Sequence, residues 1–257
     1  MPSPERSAAT GGTRTRIALE VTGTFAFATA VAAVLYRVRA FDSWFHVAVA
    51  ALFLYLPAVA LRDRDLADYG FTSRPLARNL ALVTAAVAIV FPLFALGFVG
   101  WEALACRAPS LLALAPGPCP SRPVNAAGFA TAFAWIARHA SPRLPPRFVS
   151  LAATEVLVVA LPEELFFRGY VQGRLADALP ARARILGAPV GAALILASAL
   201  FALCHLAVQG NPLTLAVFFP GLLFGWLRAR TGSILPGTLF HALCNLYIET
   251  LHRSLFG

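Results

Sequence analysis

Residues 80–100 read LALVTAAVAIVFPLFALGFVG, an unbroken apolar run without a single charged side chain. A helix needs about 20 such residues to cross the hydrocarbon core of a bilayer. The run is continuous where a half-buried strand would alternate, so it specifies a helix. Hydrocarbon offers no partners to exposed backbone groups, which leaves helices and closed barrels as the only spanning structures. Working outward, similar runs recur at about Ile17–Tyr36, Trp44–Leu61, Phe148–Phe167, Ile185–Leu206, Leu213–Leu227 and Ile234–Ile248. A shorter apolar piece, Ala126–Ile136, reads as interfacial or re-entrant. The expected fold is all-α, a polytopic transmembrane bundle of about seven to eight helices.

Composition agrees. Hydrophobic residues make up 59% of the 257-residue chain and charged residues 13%, with a mean hydropathy of +0.72. A water-soluble domain carries about a quarter charged residues. The formal charge of +9 comes from 21 basic residues, all arginine, most of them in the connections between apolar runs. That distribution is a topology signal, so lipid headgroups rather than nucleic acid are the expected partners. A cytoplasmic N-terminus places Arg6, Arg14, Arg16, Arg62, Arg64, Arg74, Arg78, Arg174, Arg182, Arg184, Arg228 and Arg230 inside, and Arg138, Arg143 and Arg147 run against it. The first run is long and lacks a small-residue cleavage site, so it reads as a span. The lysine-free, Arg- and Ala-rich composition has a bacterial look, and the expected location is the inner (plasma) membrane, multi-pass.

Residues 1–16 read as a disordered tail, 17–147 as N-terminal transmembrane helices with polar connections, and 148–257 as a C-terminal core of different character. Cys106 and Cys119 share a Pro-rich connection that admits either a disulfide or two unpaired thiols. Cys204 and Cys244 lie in apolar helices, where cysteine is a small apolar packer.

From Phe148 onward, polar side chains enter the apolar helices. A titratable group at membrane depth costs about 2.5–3.5 kcal/mol even on the lenient insertion scale, so such groups face a cavity or a partner. The first cluster is Pro162-Glu163-Glu164-Leu165-Phe166-Phe167-Arg168-Gly169. Glu164 and Arg168 are four apart and can pair, while Glu163 is turned about 100° away, toward something else. The plain alternative is a solvated ion pair at a helix end. The second cluster is Phe201-Ala-Leu-Cys-His205, whose histidine alone would pass for a satisfied core residue. The third is His241-Ala-Leu-Cys-Asn245, one face of a helix, which alone could bridge neighbouring helices. Together they supply a carboxylate, two imidazoles and a carboxamide on three helices. A water between Glu163 and His205 could be deprotonated to attack a peptide carbonyl, with His241 and Asn245 donating to the oxyanion.

In this order the motifs Glu-Glu-x-x-x-Arg, Phe-x-x-x-His and His-x-x-x-Asn resemble the CPBP family, which holds CAAX prenyl proteases of the Rce type and bacterial relatives tied to immunity and protein sorting. Residues 221–236, GLLFGWLRARTGSILP, are similar to the family's segment before its last motif. The likeness covers about Phe148–Ile248 and implies a helical, glutamic-type intramembrane endopeptidase with a water-accessible cavity. It implies Glu163 and His205 as water activators, His241 and Asn245 as oxyanion donors, and Glu164, Arg168 and Phe201 as support. No cofactor is expected. Two histidines and a glutamate can ligate zinc, but the His-Glu-x-x-His spacing is absent, which favours metal-free hydrolysis. The expected partner is a membrane-associated protein or peptide, with sorting of C-terminal tails, as in myxosortases, peptide maturation and immunity as candidate settings. A non-catalytic scaffold on the same fold and a transporter using Glu and His as a proton relay are the competing readings. Glu20 and Glu155 also lie in apolar helices and fit no motif; Glu155, two turns before Glu163, could line the same cavity or equally bridge helices.

Overall fold

The computed structural model describes residues 4–60, 67–73, 75–105 and 143–256. Seven helices stand among them: α1 (Pro4–Arg37), α2 (Phe45–Ala60), α3 (Leu76–Ala105), α4 (residues 148–178), α5 (Ala192–Gln209), α6 (Phe218–Thr231, led in by a 3₁₀ turn Pro212–Val217) and α7 (Leu235–Phe256). A small antiparallel hairpin, β1 (Ala183–Ile185) and β2 (Ala188–Val190), joins α4 to α5. The apolar run expected from Ile185 therefore contributes its first residues to this hairpin. Helix α1 starts at Pro4, inside the stretch read as a disordered tail. Proline fits the first helical turn, where its missing N–H has no intrahelical partner to lose. Cys106, Cys119, the piece Ala126–Ile136, and Arg138 lie outside the described residues.

Four segments are long and apolar enough to cross a membrane: Gly12–Arg37, Leu76–Trp101, Ala192–Gln209 and Pro212–Thr231. The other three expected spans differ for physical reasons. The apolar part of α2, Phe45–Val59, is short. Helix α4 contains two π-helical stretches, Glu155–Ala160 and Leu165–Val171, and carries two adjacent glutamates and an arginine. Helix α7 carries His241, Asn245, Glu249 and Arg253. The outer surface is apolar: Ile89 and Leu93 of α3 are each 62% exposed. In water such a face would be a liability; against lipid it is the expected one. This is a membrane protein.

Helix α4 is the axis of the bundle and touches α1, α2, α5, α6 and α7, while α3 packs on α7. Its fully buried Phe166 stacks on Phe53 of α2 at 4.7 Å, and Phe167 meets Phe201 of α5 edge-on at 5.1 Å. Pro162 explains the irregular helix. It has no N–H to bond back along the helix, and its ring crowds the preceding turn. The wider π register just before it accommodates both.

The α4–α6 contact is built on glycines. Arg168 Nη2 donates to the Gly221 carbonyl (3.3 Å) and Gln172 Nε2 to the Gly225 carbonyl (3.0 Å). A Cβ at Gly225 would lie 2.8 Å from Gln172 Oε1. Small residues four apart thus let two polar side chains, also four apart, reach helix carbonyls. Gly210 and Gly232, at φ +70° and +74°, end α5 and α6 in the left-handed conformation open to glycine. Residues 67–73 dock on the α6–α7 corner: Ile234 N donates to Gly70 O (2.9 Å) and Ser233 Oγ to Thr72 O.

Candidate active site

The site begins with the pair Glu164–Arg168. Both are buried, at 0% and 1% side-chain exposure, with Arg168 Nη1 3.0 Å from Glu164 Oε1. That nitrogen is off hydrogen-bond angle, so the contact is chiefly coulombic. The Arg168 guanidinium also sits 4.2 Å from the ring centre of Phe201 and 5.1 Å from that of Phe224. Aromatic faces partly compensate a cation taken out of water. The i,i+4 pairing expected from sequence is present, in a dry interior rather than at a solvated helix end.

Glu164 Oε1 also lies 3.2 Å from His241 Nδ1 of α7. A carboxylate only accepts, so Nδ1 carries the proton. The ring is clamped further by stacking on Phe224 (4.8 Å between centres, 16° between planes) and by an edge contact with Phe201 at 5.9 Å. Its other nitrogen, Nε2, is turned to Glu163 Oε2 at 3.8 Å. The two adjacent glutamates thus address opposite sides of one imidazole.

His205 of α5 is held by its own helix: Nδ1 lies 2.9 Å from the Phe201 carbonyl. A carbonyl only accepts, so Nδ1–H donates and Nε2 keeps a lone pair. Phe201 packs on the same ring at 4.5 Å. Asn245, one turn beyond His241, donates from Nδ2 to Glu155 Oε2 at 2.8 Å.

Glu163, His205, His241 and Asn245 all line one cavity of about 500 Å³, together with Phe201, Cys204, Cys244 and Glu155. Glu164 and Arg168 lie behind its wall. Of the two unassigned glutamates, Glu155 faces the cavity. Glu20 instead pairs with Arg174 (2.7 Å) and accepts from Tyr170, tying α1 to α4.

Two features escape a reading of spacing alone. Glu155 is eight residues from Glu163, and its tie to Asn245 needs the α4–α7 packing. Gly237 is the other: a Cβ there would lie 2.9 Å from Glu164 Oε2. With Oε1 already held by Arg168 and His241, the carboxylate cannot retreat. Gly237→Ala is expected to cost about 1–3 kcal/mol of stability, the usual range for overpacking. A thermal melt checks this, and an ordinary melting curve would refute the close fit.

A family model described as type II CAAX prenyl endopeptidase Rce1-like matches residues 145–247, a segment that holds all three motifs and the corner between α6 and α7. This segment is Rce1-like. No curated protein and no solved structure matches the chain significantly. The Rce1-like match agrees with the family likeness carried by the motifs, and it stops short of helices α1–α3. It supports an endopeptidase of the CAAX type embedded in the membrane.

Proposed function

We propose that the protein is a glutamic-type intramembrane endopeptidase of the inner membrane that hydrolyses a peptide bond close to the bilayer. The observation that carries this reading is the convergence of Glu163, His205, His241 and Asn245 on one cavity. Glu163 Oε2 is buried and accepts no hydrogen bond from the described residues. A buried carboxylate oxygen in that state calls for an explanation, and a catalytic role supplies one. Here it takes the proton of the attacking water, with His205 Nε2 accepting from the same water. The hydroxide adds to the scissile carbonyl, and the proton passes to the leaving amine. Asn245 donates an N–H to the oxyanion. His241 donates from Nε2 only as an imidazolium, because Nδ1–H is committed to Glu164. Such donors are worth several kcal/mol in a site shielded from water.

The substrates are membrane-associated or C-terminally tailed proteins or peptides, processed in sorting, maturation or immunity. The test compares membrane proteomes of a gene deletion complemented with wild type or with Glu163→Gln. One cleavage event lost in the deletion, restored by wild type and not by the variant, identifies the substrate. Full restoration by the variant would sink the peptidase chemistry and leave a scaffold. Catalysis is metal-free in this reading, so EDTA should leave turnover of the purified enzyme unchanged; loss of activity reversed by zinc would overturn that part.

A further inference from the structure

The mechanism above leaves one carboxylate of the cavity unused. Glu155 opens the first π stretch of α4, in an otherwise apolar segment, and lines the main cavity. It also lines a second cavity of about 390 Å³, walled by Pro145, Leu151 and Glu249 among others, and Asn245 is common to both. The Glu155–Asn245 contact therefore stands where the two cavities meet.

A carboxylate has no N–H or O–H to give when ionised, so it discriminates between the two ends of a carboxamide. With Glu155 Oε2 2.8 Å from Nδ2, the amide of Asn245 is held with its nitrogen toward α4 and its Oδ1 turned away. One N–H of Nδ2 is committed to Glu155, and the planar amide then dictates the direction of the other. Without that acceptor the amide can turn over and present Oδ1, whose lone pairs repel a developing oxyanion. Asn245 sits one helical turn from His241, on the same face of α7, so the orientation of its amide bears directly on the site.

We propose that Glu155 is a positioning residue for hydrolysis, acting through Asn245 by fixing which end of its carboxamide faces the reacting carbonyl. The inference rests on the peptidase reading above, since it gives a task to the same donor. A simple tie between α4 and α7 is the rival, and it predicts a loss of stability with kcat little changed.

The test uses the full-length enzyme in detergent with the substrate identified by the proteome comparison. Glu155→Leu should lower kcat about tenfold and leave KM within about twofold, while Glu155→Gln, which keeps an accepting oxygen, should stay within about threefold of wild type. In an Asn245→Ala background, Glu155→Leu should cost nothing further, because a residue that acts only through another has no separate effect. A second readout needs no turnover. The chain has four asparagines, so selective ¹⁵N-asparagine labelling gives four side-chain amide pairs, and Asn245→Ala assigns one of them. That pair should shift in Glu155→Leu and stay near its wild-type position in Glu155→Gln. An unmoved amide pair, an unchanged kcat, or the same loss in the Asn245→Ala background would overturn the proposal. Glu163→Gln run alongside separates the two levels. If it is inactive while Glu155→Leu is normal, only the positioning role falls; if it turns over normally, the peptidase reading falls as well.

Discussion

Glu163→Gln should slow hydrolysis by about 10²–10⁴-fold, the range lost when a positioned general base is removed. The change is isosteric, and the α4 backbone has no reason to move. What disappears is the ability to take a proton from water, in a group whose Oε2 has no hydrogen bond from the described residues and stands 3.8 Å from His241 Nε2. Stability should hold or rise, because a partly desolvated charge is replaced by a neutral amide; the Glu163 side chain is only 17% exposed. The measurement is single-turnover cleavage of the identified substrate beside a thermal melt. Turnover within a few-fold of wild type, with an unchanged melt, would remove Glu163 from the chemistry.

Arg168→Ala should cost about 3–5 kcal/mol of stability, the penalty for stranding one member of a buried ion pair. Three losses coincide: the charge opposite Glu164, the bond to the Gly221 carbonyl, and the stacking on Phe201 and Phe224. Glu164 is wholly buried and would be left with a single partner, His241. The double variant Glu164→Gln with Arg168→Met separates fold from function. It removes both charges at similar volume and should recover much of the melting temperature, since hydrophobic replacements of buried pairs are often tolerated. Activity should not return with it, because the carboxylate that orders His241 is gone. A wild-type melt for Arg168→Ala would show that the pair does not hold the core.

The Glu164–Arg168 pairing was legible because it lies within one helix and depends only on the repeat of that helix. The separation of Glu163 from Glu164 was legible for the same reason. His205 and Phe201 form another such pair, and their four-residue spacing becomes a side-chain-to-backbone bond and a ring contact. The Glu155–Asn245 bond spans 90 residues of sequence and no local rule announces it. The burial of Glu164 against Gly237 is of the same kind: a missing side chain on α7 makes room for a carboxylate on α4. The hairpin at 183–190 was hidden because its strands are only three residues long and the stretch from Ile185 merges with the apolar run of the following helix.

Residue order alone determined that this chain is a helical membrane protein, because the length and continuity of its apolar runs leave a bilayer-spanning backbone no other way to satisfy itself. It also determined which side chains stand out as chemistry, because a titratable group inside such a run is too costly to be incidental. Tertiary structure alone decided what each of them faces. Packing of α4 against α5, α6 and α7 turned two neighbouring glutamates toward opposite nitrogens of one histidine, and gave a third a carboxamide to hold. Those contacts join residues far apart in the chain, and only the folded bundle brings them within reach of one another.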